Sequence, residues 1–72
     1  MPEPDMHPVD SSNIEAVGYD EEEREIYIRF LDGRTYAYGN ADVSTFEELR
    51  SADSVGSYFN RVIKPDFPCR PL

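Results

Sequence analysis

Tryptophan is missing from this 72-residue chain, cysteine and histidine occur once each, and glycine occurs only four times. A lone thiol, Cys69, makes no internal disulfide, and with His7 as the single histidine there is no zinc constellation. The same scarcity removes a Cys/His or Ser/His pair, and no phosphate-binding loop or carboxylate dyad on rigid elements stands out. No apolar run reaches membrane-spanning length, and Met1-Pro2-Glu3-Pro4-Asp5 is acidic where a signal or transit peptide is basic. The chain therefore reads as non-enzymatic and cytoplasmic, in a reducing compartment, without cofactor, metal, membrane partner or small-molecule substrate.

Bases are also few. Seven Lys and Arg face fifteen Asp and Glu, for a net charge of −8. The excess is uneven: residues 1–45 hold eleven acids against three arginines, while residues 46–72 hold four of each sign. That charge repels phosphate backbones at long range, which disfavours a general nucleic-acid binder. Six of the seven bases are arginine, so a local guanidinium patch stays open.

Alternation organises the middle of the chain. Ile26, Ile28 and Phe30 precede Leu31-Asp32-Gly33, and Tyr36 and Tyr38 follow, the pattern of a β-hairpin. With Asp32-Gly33 as a two-residue turn, Tyr27, Arg29, Tyr36 and Tyr38 share one exposed face. With a three-residue loop and Gly33 in the left-handed region, Ile28 pairs with Tyr36 and Ile26 with Tyr38, and both tyrosines join the core. A short chain without Trp needs its aromatic area for burial, which favours the second register.

A first strand is expected over Ile14–Asp20, with a bulge near Ala16 because Ile14 is out of phase with Val17 and Tyr19. Asp10-Ser11-Ser12-Asn13 launches it as a turn, and the acidic run Asp20–Glu23 is a solvated loop. Ser44, with Glu47 three residues on, predicts a helix start, and Val43, Phe46, Leu49 and Ala52 mark its apolar stripe. Asp53 or Ser54 caps a second helix with Val55, Phe59, Val62 and Ile63 inward, ended by Pro65.

The expected fold is α+β, a three-stranded antiparallel β-meander followed by two short helices packed on one face. Residues 1–9, with three prolines, are read as a flexible leader and residues 68–72 as a frayed tail, around a domain over 10–67. So small a core supports a net stability of about 3–5 kcal/mol. Candidate binding residues are Tyr27 and Arg29 on the strand, and Ser54, Gly56, Ser57, Tyr58, Asn60 and Arg61 on the second helix. Tyr27, Arg29 and Tyr58 are expected at the surface. Gly56 costs about 1 kcal/mol against Ala in a helix, so it marks either a close approach or amides open to an anion.

Five pieces in order, Ser11-Ser12-x-Ile14, Val17-Gly18-Tyr19-Asp20, Phe30-x-x-Gly33, Tyr36-x-Tyr38 and Ala52-x-Ser54-x-Gly56-x-Tyr58-Phe59-Asn60-x-x-Ile63, resemble the KTSC domain family. That short domain takes its name from the C-terminus of some lysyl-tRNA synthetases and also occurs alone in small bacterial and viral proteins. The resemblance implies a domain without known enzymatic activity, for which RNA binding is suggested by the synthetase fusion. It places the family's tyrosine pair at Tyr36 and Tyr38 and its helix signature at Ser54, Gly56, Phe59 and Asn60. Two partners stay open. One is RNA stacked on exposed tyrosines. The other is a protein met at a sheet edge, at the second helix, or by the acidic front acting as a nucleic-acid mimic, with the chain a monomer or weak homodimer.

Overall fold

The computed structural model describes residues 4–72. Its strands, β1 (His7–Pro8), β2 (Ile14–Asp20), β3 (Glu25–Phe30), β4 (Thr35–Tyr38) and β5 (Cys69–Pro71), form one antiparallel sheet in chain order. The β3–β4 hairpin takes the three-residue loop. Ile28 lies opposite Tyr36 and Ile26 opposite Tyr38, and the Phe30 N–H donates to the Arg34 carbonyl at 2.8 Å. Gly33 sits at φ +96°, a conformation that an L side chain rarely adopts. Register shifts between Ile14 and Ala16, and this bulge lets Ile14 and Val17 both face inward and fully buried.

Five strands replace the expected three, because β1 and β5 come from the segments read as leader and tail. Prolines misled that reading. The Val9 N–H points at β2 and donates to the Glu15 carbonyl, so alternation turns the backbone of Pro8 outward. At the other border the Leu72 N–H donates to Thr35, which turns Pro71 outward in the same way. A proline on the free side of an edge strand forfeits no ladder bond. The leader also includes residues 1–3, which lie outside the described residues.

Helix α1 (Val43–Ser51) is capped two residues earlier than expected. Asp42, and not Ser44, holds the start, its Oδ1 accepting from the Thr45 N–H at 3.0 Å and from the Ser44 and Thr45 hydroxyls at 2.9 Å each. A carboxylate that accepts three hydrogen bonds outcompetes a serine hydroxyl, and those bonds, the Thr45 amide first, hold the Asp42 carboxyl below the usual range. Val43 becomes the first helical residue and stands out at 51% exposure, while the stripe is buried only at Phe46 and Leu49.

The second helical stretch has three consecutive pieces: α2 (Val55–Tyr58), a π-helical turn (Phe59–Ile63) and α3 (Lys64–Asp66). Ser54 caps it through the Ser57 N–H at 3.2 Å. Pro65 does not end the stretch but sits inside its last turn. A proline ring in an ordinary helix clashes with the carbonyl four residues back, and the wide turn just ahead of it, closed by the Lys64 N–H on the Phe59 carbonyl, relieves that. The wide turn also offsets the drift of about 40° per step that a spacing of four accumulates at 3.6 residues per turn, so Val55, Phe59 and Ile63 all stay buried.

Both helical stretches cover the face that carries Ile14, Val17, Ile26, Ile28 and Tyr38. Phe59 is the keystone of that layer, edge-on to Phe30 at 5.6 Å and to Tyr38 at 5.3 Å between ring centroids. No helix among the described residues is long and apolar enough to cross a membrane.

Candidate functional site

Period-two alternation sends Tyr27 and Arg29 to the sheet face that no helix covers. Across that face Gly18, Tyr27, Ala37 and Arg70 lie side by side on β2 to β5. Tyr27 nevertheless is buried, at 8% exposure, against the expectation that it lies on the surface. Two parts of the chain ends close over this row. The start of the chain crosses Gly18 so closely that a Cβ there would lie 2.7 Å from the Met6 sulfur and 2.8 Å from the Asp5 carbonyl. From the other border Arg70 reaches Glu25 through two hydrogen bonds, 3.0 Å from Nε and 2.9 Å from Nη2, and also meets the Tyr27 side chain. The Glu25 hydrogen bonds, above all, hold the Arg70 guanidinium more firmly protonated than usual. Arg29 is half-buried, with Nη1 3.8 Å from Glu15 Oε2.

The other candidates lie on the far side of the sheet, so the structure does not bring Tyr27 and Arg29 together with the helix residues. Gly56 has the close-approach role: a Cβ there would lie 3.0 Å from Asn13 Oδ1 and 3.2 Å from Ser11 Oγ. That turn is self-satisfied, since the Ser11 hydroxyl donates to Asn13 Oδ1 at 3.1 Å and accepts from the Ile14 N–H at 3.3 Å. Two of the motif pieces thus meet as packing partners. Ser57, Asn60 and Arg61 are exposed, whereas Tyr58 is half-buried and donates its hydroxyl to Glu48 at 2.8 Å. Burial, and after it the Glu48 carboxylate, pushes the Tyr58 phenol up.

None of these residues lines the grooves between β1 and α1. One groove, of about 250 Å³, is lined by Asp5, His7, Tyr19, Val43, Phe46 and two glutamates, Glu21 and Glu47. The next, of about 520 Å³, runs from His7 to Asp10 along one wall and from Arg50 to Val55 along the other. His7 lines both, its ring 6.3 Å from Phe46, which is itself stacked on Tyr19 at 5.6 Å. The Tyr19 hydroxyl donates to the Ala41 carbonyl at 2.8 Å, which fixes this aromatic floor. Sequence reasoning missed the grooves because one wall is the supposed leader. The usable signal was Val43, an aliphatic residue at a helix start with Asp42 before it and Glu47 one turn on.

Residues 10–67 match the model of the KTSC domain. The chain belongs to the KTSC domain family. A protein of Tsukamurella paurometabola is 44% identical to this KTSC domain over 62 residues, 86% of this chain and 92% of that one. An uncharacterized protein of Stutzerimonas stutzeri is 36% identical over 55 residues, 76% of this chain and 78% of its own. The crystal structure of a KTSC domain protein from Yersinia pestis matches with a TM-score of 0.87 and 38% identity, covering 94% of this chain and 96% of that one. A likeness over that share of the chain extends past the 10–67 span of the family match.

Proposed function

We propose that this KTSC domain is a non-catalytic recognition module whose partner is a protein. The observation that carries the reading is the state of the aromatic rings. Tyr27 and Tyr38 are buried and Tyr19, Tyr36 and Tyr58 half-buried, so none of the five tyrosines stands fully exposed as a platform for base stacking. A net charge of −8 adds long-range repulsion of phosphate. The family resemblance suggested RNA; the side chains of this chain favour protein.

Recognition here works through side chains and not through strand addition, because Pro8 and Pro71 leave the borders of the sheet without outward donors at those positions. The same prolines favour a monomer. Catalysis is disfavoured because the grooves are open and Cys69, on β5, pairs across strands with Tyr38 while His7 lies on β1 at the opposite border. An exposed thiol of this kind suits a reducing compartment such as the cytoplasm.

Fluorescence anisotropy with a labelled single-stranded RNA, run at low and at moderate salt, tests the reading. The expected result is no saturable binding even at low salt, where phosphate contacts are strongest. Saturable binding that falls steeply as salt rises would overturn it.

A further inference from the structure

We propose that the grooves meeting at His7 bind an Arg- or Lys-rich segment of a partner protein that carries an apolar anchor side chain between its bases. The inference rests on the recognition-module reading above and names its site and partner chemistry.

The first observation is an exposed aliphatic side chain in an apolar-floored groove. Val43 is an aliphatic residue more than half exposed in a domain that buries most of its others, and it lines one groove with the stacked pair of Phe46 and Tyr19. Exposed apolar residues also occur at the hairpin end, where Leu72 lines a groove with Arg34, whose charge is met by Asp32 at 3.7 Å. Charge separates the two places.

Around Val43 the rim is made by Asp5, Glu21 and Glu47, which come from the chain start, the β2–β3 loop and α1. These carboxylates stand on three separate segments, and among the described residues no group of His, Cys, Asp and Glu is placed to hold a metal ion. A spread of negative charge around an apolar floor fits bases spaced along a chain better than one ion. It also repels phosphate, so the complementary ligand is cationic.

Extent completes the match. The second groove continues from His7 and adds Asp10 and Asp53 against one base, Arg50, so the channel accommodates several residues of a segment. Pro8 forms part of its wall and offers no backbone donor, so the segment is held by its side chains: the apolar anchor on Val43, the bases on the rim.

The test titrates the full chain with a fluorescein-labelled Arg-Leu-Arg-Leu-Arg peptide, with Arg-Ser-Arg-Ser-Arg as control, followed by anisotropy and by amide shifts in nuclear magnetic resonance. The Leu peptide is expected to bind about tenfold more tightly than the Ser peptide, the factor that burial of one apolar anchor supplies. Shifts should cluster on residues 5–10 and 43–50. Val43→Asp is the decisive variant. It adds negative charge and suits a first helical turn, so simple charge attraction would strengthen binding, whereas loss of the anchor weakens it about tenfold. Equal affinity for the two peptides, or unweakened binding to Val43→Asp, overturns the site. Shifts confined to Ser57, Asn60 and Arg61 overturn the site but keep the recognition reading. Saturable binding of the labelled RNA, with neither peptide bound, overturns both.

Discussion

On the helix-covered face of the sheet, Ile14, Val17, Ile26 and Ile28 are large and fully buried, whereas the other face carries Ala16 and Gly18 on β2 and Ala37 on β4, with Tyr27 and Arg29 between them on β3. One face is dried by a second layer. The other has little to cover, so the start of the chain and a single arginine laid over Tyr27 suffice. A domain with too few greasy side chains for two cores can still bury both sides of a sheet if one side is built from small residues.

Removing Tyr38 attacks the covered face and has the largest expected effect. Tyr38→Ala takes away a ring packed edge-on to Phe59 and costs about 3–5 kcal/mol, close to the whole expected stability, so a urea melt should show a largely unfolded variant. An unchanged midpoint would refute the core assignment. Gly18→Ala probes the uncovered face. Its Cβ collides with the Asp5 carbonyl and the Met6 sulfur, costs about 1–3 kcal/mol, and speeds hydrogen exchange at the Val9 amide as β1 lifts.

Alkaline pH probes the covered face without mutation. Burial, and next the Cys69 thiol, pushes the Tyr38 phenol from its ordinary 10.0 up to about 12. The unfolded chain then loses this proton first, so the contribution of Tyr38 is complete below pH 10 and disappears as pH rises towards about 12, which urea midpoints across that range will register. Arg70→Ala has the smallest effect on global stability, because the Glu25 pair is exposed on its arginine side. It is expected to free β5, seen as faster exchange at the Leu72 and Gly39 amides and as easier quenching of Tyr27.

The hairpin register, the bulge at Ala16 and the inward stripe of the second helical stretch were legible because each rests on a local pattern longer than four residues. The chain ends were not. His7–Pro8 and Cys69–Pro71 are too short for periodicity to register, and their prolines signal a frayed end as readily as a blunted edge. Tyr27 was misjudged for the same reason, since Arg70 that meets it, and the Asp5–Met6 segment that crosses its neighbour Gly18, both come from those ends. The cap at Asp42 was hidden by an equally good serine signature two residues later. Of the candidate site, the role of Ser54 as a cap and of Gly56 as a close approach followed from residue type. The β1–α1 grooves join parts of the chain about forty residues apart, which no local pattern encodes.

The outward-facing prolines have a consequence for crowding. Tethered side by side on a scaffold, or strung in tandem, copies of this domain would reach high local concentration while Pro8 and Pro71 withhold a backbone donor from a neighbour's strand at both borders of the sheet.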